Sequence, residues 1–327
     1  MTYSQADITV PYAVANFAEI RHKGYYYVDK TNYIPLLERY KAPVFLRPRR
    51  FGKSLLVSML AHYYDRNMAT QFKDLFGGTW IGEHPTNEHN QYLVVRYDFS
   101  TTSVASKKEN IEKNFNAVNC SPLRTLVERN RDLFGDFRFR EDGNASNMLV
   151  EVCEFISSHN LPSLYILIDE YDNFTNQLLV VYKDSLYQDL TTGESFLRTF
   201  FKVIKAGIGE GTIRTCFCTG VLPVTMDDLT SGYNIAEMLT LKPEFTNLLG
   251  FTHEEAAQYL KYVIKKYGPQ ASFEELWTLI LNNYDGYHFL PNAEPLFNST
   301  ILTYFLKNFA ELKGGIPTEM VDENLRT

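Results

Sequence analysis

The sequence predicts an α/β fold, a doubly wound and mainly parallel sheet followed by a small helical domain. Three observations predict it. Leu164-Tyr165-Ile166-Leu167-Ile168 is apolar at every position but the tyrosine ring's hydroxyl, as a strand covered by helices on both faces requires. Apolar runs of this kind alternate with helical spacings between residues 42 and 250, the order of a doubly wound domain. From about Thr252 the strands stop and helical patterns take over. The expected organisation is an N-terminal lead-in over 1–41, an α/β domain over 42–250, a helical domain over 251–313 for which a winged-helix-like form is one option, and a linker or cut end over 314–327. A chain of 327 residues suits such a division, since domains commonly hold about 100–200 residues.

Taken in order, residues 12–40 carry two short amphipathic helix patterns around Gly24 to Thr31, the second running from Asn32 to Arg39. Ala42-Pro43-Val44-Phe45-Leu46 is a short strand. After Arg47-Pro48, Ser54 to Arg66 sets Leu55, Met59, Leu60 and Tyr63 at helical spacing. Tyr92 to Phe99 is the second strand, with helical stretches near 108–131 and 145–160 behind it. Leu164 to Ile168 is the third, Ile213 to Thr219 the fourth, and Met238 to Leu241 a short fifth. Thr252 to Lys266 opens with a Thr-x-x-Glu capping box, Phe273 to Tyr284 follows Pro269, and Ser299 to Phe309 is the last helix.

Composition narrows the functional classes. Hydrophobic residues make up 45% and charged residues 22%, values of an ordinary globular chain that exclude wholesale disorder. A net charge of −7 argues against a generally basic surface, although a local groove could hold a polyanion. None of Cys120, Cys153, Cys216 and Cys218 forms a paired CxxC zinc spacing, so reduced core thiols are expected. The N-terminus lacks the basic and apolar regions of a secretory signal, and no apolar run approaches the ~18 residues that cross a membrane. A soluble, cytoplasmic protein is the expectation.

The chemistry sits between the first strand and the helix after it. Arg47-Pro48-Arg49-Arg50-Phe51-Gly52-Lys53-Ser54 fits the phosphate loop GxxxxGK[ST] of P-loop nucleoside triphosphatases everywhere except the first position, where arginine replaces glycine. In that motif the backbone amides face the phosphates, lysine reaches the β and γ oxygens, and the hydroxyl residue holds magnesium. Its place after a strand and before a helix is the context the motif demands. The alternative is a surface turn in which Gly52 ends a strand and Lys53 and Ser54 begin a helix. Arg49 and Arg50 favour an anion, because two guanidiniums beside helix-terminal amides repel one another in an empty site.

Asp169-Glu170, at the end of the third strand, reads as the second half of such a site, a Walker B pair to the Walker A loop. Asp169 would hold magnesium through its water shell, and Glu170 would activate the attacking water. The alternative is a strand ending in solvated acids before a turn. A glutamate beside the aspartate, with one strand between loop and acidic pair, matches P-loop sheets of order 5-1-4-3-2. There the fourth strand ends beside the γ-phosphate, which makes Thr219 a candidate polar sensor or, equally, a buried strand threonine. Asp172 is expected to be a solvated or capping acid. Lys202, Lys205 and Arg214 are read as solvated, with a trans-acting finger as the alternative, and His288 as packed.

With these residues in place, the chain resembles the AAA-ATPase-like family of P-loop proteins, related to archaeal and STAND ATPases. The resemblance runs through Phe17-x-x-Ile20-Arg21-x-x-Gly24-Tyr25-x-Tyr27-Val28-Asp29-Lys30-Thr31, the Leu46 to Ser54 loop, Ile168 to Asp172, Thr219-Gly220-Val221, Leu229 to Ile235, and Tyr284-Asp285-Gly286-Tyr287-x-Phe289. It implies ATP and magnesium as cofactors, with Tyr27 and Val28 flanking the adenine and the loop through Leu55 holding the nucleotide. Catalysis would fall to Glu170, Lys53 and Thr219. Members often continue into a PD-(D/E)XK nuclease-like domain. No Asp followed by Glu-x-Lys on paired strands follows residue 290, so the chain is expected to be a piece of a longer protein or a form without that domain. An ATP-hydrolysing switch or motor in nucleic-acid processing or defence is the leading functional expectation, and a non-hydrolysing nucleotide-dependent interaction module the alternative. A nucleotide is the first partner. Nucleic acid through a C-terminal domain and a second copy in a homo-oligomer follow, and a membrane does not.

Overall fold

The computed structural model describes residues 9–102, 108–141, 143–174, 176–177, 195–222, 233–268, 271–284 and 286–321. Leu229 to Gly232, Pro269, Asp285 and the end from 322 therefore lie outside the described residues.

Among the described residues five parallel strands form one sheet: β1 (Pro43–Leu46), β2 (Leu93–Asp98), β3 (Leu164–Asp169), β4 (Ile213–Gly220) and β5 (Glu237–Met238). Across the sheet they stand in the order β2-β3-β4-β1-β5, which from the other edge reads 5-1-4-3-2. Leu46 lies opposite Gly220, Ile168 opposite Cys218, and Asp98 opposite Asp169. These pairings gather the carboxyl ends of β1 to β4 on one rim, where open α/β sheets bind ligands.

Both faces of the sheet are covered, which is why β3 shows no polar alternation. Phe45, Tyr165, Leu167 and Phe217 face α1 (Phe17–His22) and α2 (Lys53–Tyr64). Val44, Leu46, Ile166, Ile168, Cys216 and Cys218 face α3 (Lys108–Arg129), α4 (Ala145–His159) and α5 (Phe196–Glu210). Helix α5 has no counterpart in the sequence reading. Its signals are nevertheless ordinary: Ser195 caps its first turn through Arg198 N, Phe200, Ile204 and Ile208 recur at helical spacing, and Gly211 ends it in the left-handed region at φ 80°. The four cysteines are free and buried, with Cys216 and Cys218 Sγ atoms 3.8 Å apart.

A third apolar cluster holds α6 (His253–Tyr267), α7 (Phe273–Tyr284) and α8 (Ser299–Glu311) together. The expected capping box forms at Thr252 and Glu255. Residues 12–40 do not stand apart, since Phe17, Ile34 and Leu37 are buried in the α2-side cluster. Lys30 ties this segment to α6: its ammonium donates to both carboxylate oxygens of Glu255 at 2.6 and 2.7 Å and to the Asn247 carbonyl at 2.8 Å. Burial lowers the Lys30 pKa and the Glu255 carboxylate opposes it. Met320 and Val321, in the stretch expected to be a linker or cut end, pack against the helical cluster.

Candidate functional site

Where β1 ends, residues 47–52 turn the chain into α2. Arg50 and Gly52 take left-handed φ values of 72° and 92°, while the residues between and beside them do not. Alternation of handedness points successive backbone N–H groups into one concavity, the arrangement that receives anions. Position 47 keeps an ordinary φ, so it needs no glycine, and its arginine is tolerated. At Gly52 a side chain would be strained, because L residues avoid a φ of 92°.

The loop's side chains divide into two sets. Arg49, Arg50, Phe51, Gly52, Lys53, Ser54 and Leu55 border a cavity of about 590 Å³, a size typical of small-molecule sites. Arg47 and Pro48, expected in the nucleotide-binding loop, do not border it. Strand parity explains Arg47: side chains two residues apart share a face, so its guanidinium stacks on Phe45 at 4.5 Å and on Phe289 at 3.9 Å. It donates to the carbonyls of Leu46, Thr240 and Thr246 at 3.1, 3.2 and 3.0 Å, and burial pushes its pKa down to about 10. Arg47 is thus a brace behind the loop. Lys53 is buried, and its ammonium donates to the Arg47 and Pro48 carbonyls, each at 2.9 Å. Burial lowers its pKa, and Asp169, Glu170 and Asp172 oppose that shift.

The acidic pair arrives on the adjacent rim. Asp169 is 2% exposed and does not border the cavity, with Oδ1 lacking any hydrogen-bond partner. Its Oδ2 stands 3.6 Å from the half-exposed Arg96 guanidinium. Burial raises its pKa, while hydrogen bonding from Ser54 and the charge of Arg96 lower it. A raised carboxylate pKa means the charge costs stability: the cost is absent below the ordinary carboxylate pKa and complete once pH passes the raised value. Asp169→Asn should therefore raise the Tm at neutral pH, with the gain fading in acid. A lowered Tm by scanning calorimetry would contradict this.

Glu170 borders the cavity and sits at φ 50°, a conformation that non-glycine residues adopt at some cost. Its carboxylate accepts from Asn173 Nδ2 at 2.8 Å, and Asn173 Oδ1 accepts in turn from Gln177 at 3.1 Å. The sequence reading missed Asn173, whose only signal is its place one helical turn beyond the glutamate. Asp172 is buried rather than solvated and acts as a cap, its Oδ2 accepting from Val221 N and Leu222 N at 3.0 and 2.7 Å. This close approach requires Gly220, where a Cβ would fall 2.3 Å from Asp172 Oδ1.

Thr219 is not brought to the cavity. It is fully buried, and its hydroxyl donates to the Phe45 carbonyl at 2.9 Å, the arrangement of a buried strand threonine. Arg214 is paired with Glu88 at 2.9 Å at the opposite end of β4. His288 is exposed, not packed. Its neighbours do the packing, Tyr287 and Phe289 meeting the Phe51 ring edge-on at 4.9 and 5.5 Å.

Away from the loop the cavity turns apolar, bordered by Ile20, Tyr27, Val28 and Met59. Tyr27 meets Phe17 edge-on at 5.3 Å, and burial raises its pKa. The remaining walls were not foreseen: Pro11 to Ala15, Leu248 to Phe251, and Ser299, Thr300 and Thr303 of α8. Sequence distance hid them, because no local pattern announces that residue 300 lies against residue 50.

A parallel five-stranded sheet with helices on both faces and an anion-shaped loop at its carboxyl rim defines a P-loop-like α/β protein. The model of the family described as Predicted AAA-ATPase matches residues 11–230, and the chain belongs to that family. Membership suggests nucleotide binding. The protein in the vnfD 5' region of Azotobacter chroococcum mcd 1, described as uncharacterized, is 25% identical over 255 residues, covering 75% of this chain and 43% of its own length. The chain thus spans less than half of that curated relative. The family match ends before Leu248, so the α8 side of the cavity lies beyond it. No helix among the described residues is long and apolar enough to cross a membrane.

Proposed function

We propose that the protein binds ATP with magnesium in this cavity and hydrolyses it, serving as a nucleotide-driven switch or motor. One observation carries the reading: the concave loop heading α2, the Lys53 ammonium and the Asp169-Glu170 pair converge on a single rim. Gly52, Lys53 and Ser54 would present backbone N–H groups and the helix dipole to the phosphates. Lys53 would exchange its two loop carbonyls for phosphate oxygens, and Arg49 and Arg50 would add charge at the same end of the cavity. Tyr27 and Val28 would flank the base.

The fit for magnesium rests on Asp169, whose buried Oδ1 has no partner, and on Ser54, which borders the cavity. A hard cation that keeps several waters suits one carboxylate, one hydroxyl and the phosphates. Among the described residues no group of three or more His, Cys, Asp and Glu gathers as an all-protein metal cage, and such a site needs none. Asp169 and Ser54 would hold the magnesium ion, which when bound would supply positive charge to the phosphates. Glu170, steadied by Asn173, would accept the proton of the attacking water. The test is phosphate release from ATP: it is expected to require magnesium and to fall to the buffer rate with EDTA. Release unchanged by chelation would contradict the metal's role, and no release under any nucleotide or partner tried would leave only binding.

A further inference from the structure

Four residues of the loop, Arg47, Arg49, Arg50 and Phe51, are each held by residues between 240 and 300. Arg47 reaches Thr240, Thr246 and Phe289. The Arg49 carbonyl accepts from Asn298 Nδ2 at 3.1 Å. The Arg50 carbonyl accepts three times, from Thr300 N at 3.2 Å, Thr300 Oγ1 at 2.8 Å and Ser299 Oγ at 3.2 Å. The Phe51 carbonyl accepts from Gly250 N at 3.3 Å.

Arg50 is where this clustering has a consequence. It is a non-glycine residue at φ 72°, a conformation that costs an L residue about 1–2 kcal/mol. The peptide unit is planar and trans, so its C=O and N–H point in opposite directions. With the Arg49 and Arg50 carbonyls drawn toward α8, the N–H groups of Arg50 and Phe51 point away from it. Donors at the start of α8 thus meet the loop where its handedness alternates.

We propose that Thr300, with Asn298 and Ser299, positions the phosphate loop, holding the Arg49 to Phe51 peptides in the anion-receiving orientation. The proposal rests on the reading of this loop as the triphosphate site. It assigns the first turn of α8 a role in nucleotide affinity although none of its hydroxyls need touch the nucleotide.

The test compares ATP and adenosine binding, by calorimetry on the full chain, for the wild type, Thr300→Val and Thr300→Ser. Thr300→Val keeps shape and removes the hydroxyl. It is expected to weaken ATP about three- to tenfold, the effect of losing one modest hydrogen bond, with adenosine affinity and Tm near wild type and with Thr300→Ser restoring ATP affinity. Equal losses for ATP and adenosine would assign Thr300 to packing and overturn the proposal, as would ATP affinity unchanged beside a wild type that binds. A wild type that binds no ATP would instead overturn the reading of the loop, and the proposal with it. Should Thr300→Val not fold, Ser299→Ala removes one of the three donors and is expected to give a smaller loss confined to ATP; no such loss would count against the proposal.

Discussion

Glu170→Gln is expected to lower the rate of phosphate release about 10²–10⁴-fold, the usual contribution of a general base, while ATP affinity in magnesium stays within about twofold. A strand buried on both faces delivers its last residue, Asp169, to the rim, and the chain then breaks into a left-handed φ of 50° at Glu170. That break aims the carboxylate at the cavity and not along the strand. Glutamine preserves the size of the side chain and an oxygen for Asn173 Nδ2, which lies 2.8 Å from the carboxylate. What it removes is the capacity to take a proton. Single-turnover phosphate release measured beside equilibrium binding separates the two effects. Undiminished release would remove Glu170 from the chemistry, and a parallel loss of binding would make it a structural residue.

Lys53→Met is expected to weaken ATP binding about 10–100-fold, as loss of a charge-assisted hydrogen bond to phosphate does. The lysine is 5% exposed, and its charge is held by two loop carbonyls and faced by the carboxylates of Asp169, Glu170 and Asp172. Methionine fills much of the same space, so the Tm should move little. It supplies no donor to the Arg47 and Pro48 carbonyls, which adds loosening of the loop to the lost charge. Fluorescence titration with a labelled ATP analogue, checked by Tm, decides the outcome. Affinity equal to wild type would place the phosphates elsewhere.

The sheet was legible because its signals are local. Leu164 to Ile168 is apolar throughout, and a strand of that kind can only be central. Gly52-Lys53-Ser54 between a strand and a helix was legible for the same reason. The directions of the Arg47 and Thr219 side chains were available in principle. Phe45 and Arg47 share a face, and Thr219 lies opposite Phe45 in the register, so neither points at the rim. The α8 wall was not available in any local pattern. Its contacts with Arg49 and Arg50 span about 250 residues, and the first turn of α8 carries only an ordinary Asn298 cap in sequence. Helix α5 is the plainest omission, since its Phe200, Ile204 and Ile208 spacing is local and strong.

The central claim is that the loop over residues 47–54 binds a nucleoside triphosphate. Isothermal titration of the wild-type chain with ATP in magnesium measures this directly. The expected result is saturable binding of one ATP per chain, weakened when magnesium is withdrawn and weakened about 10–100-fold by Lys53→Met. Folded protein that shows no saturable binding of ATP, with magnesium or without it, would contradict the account.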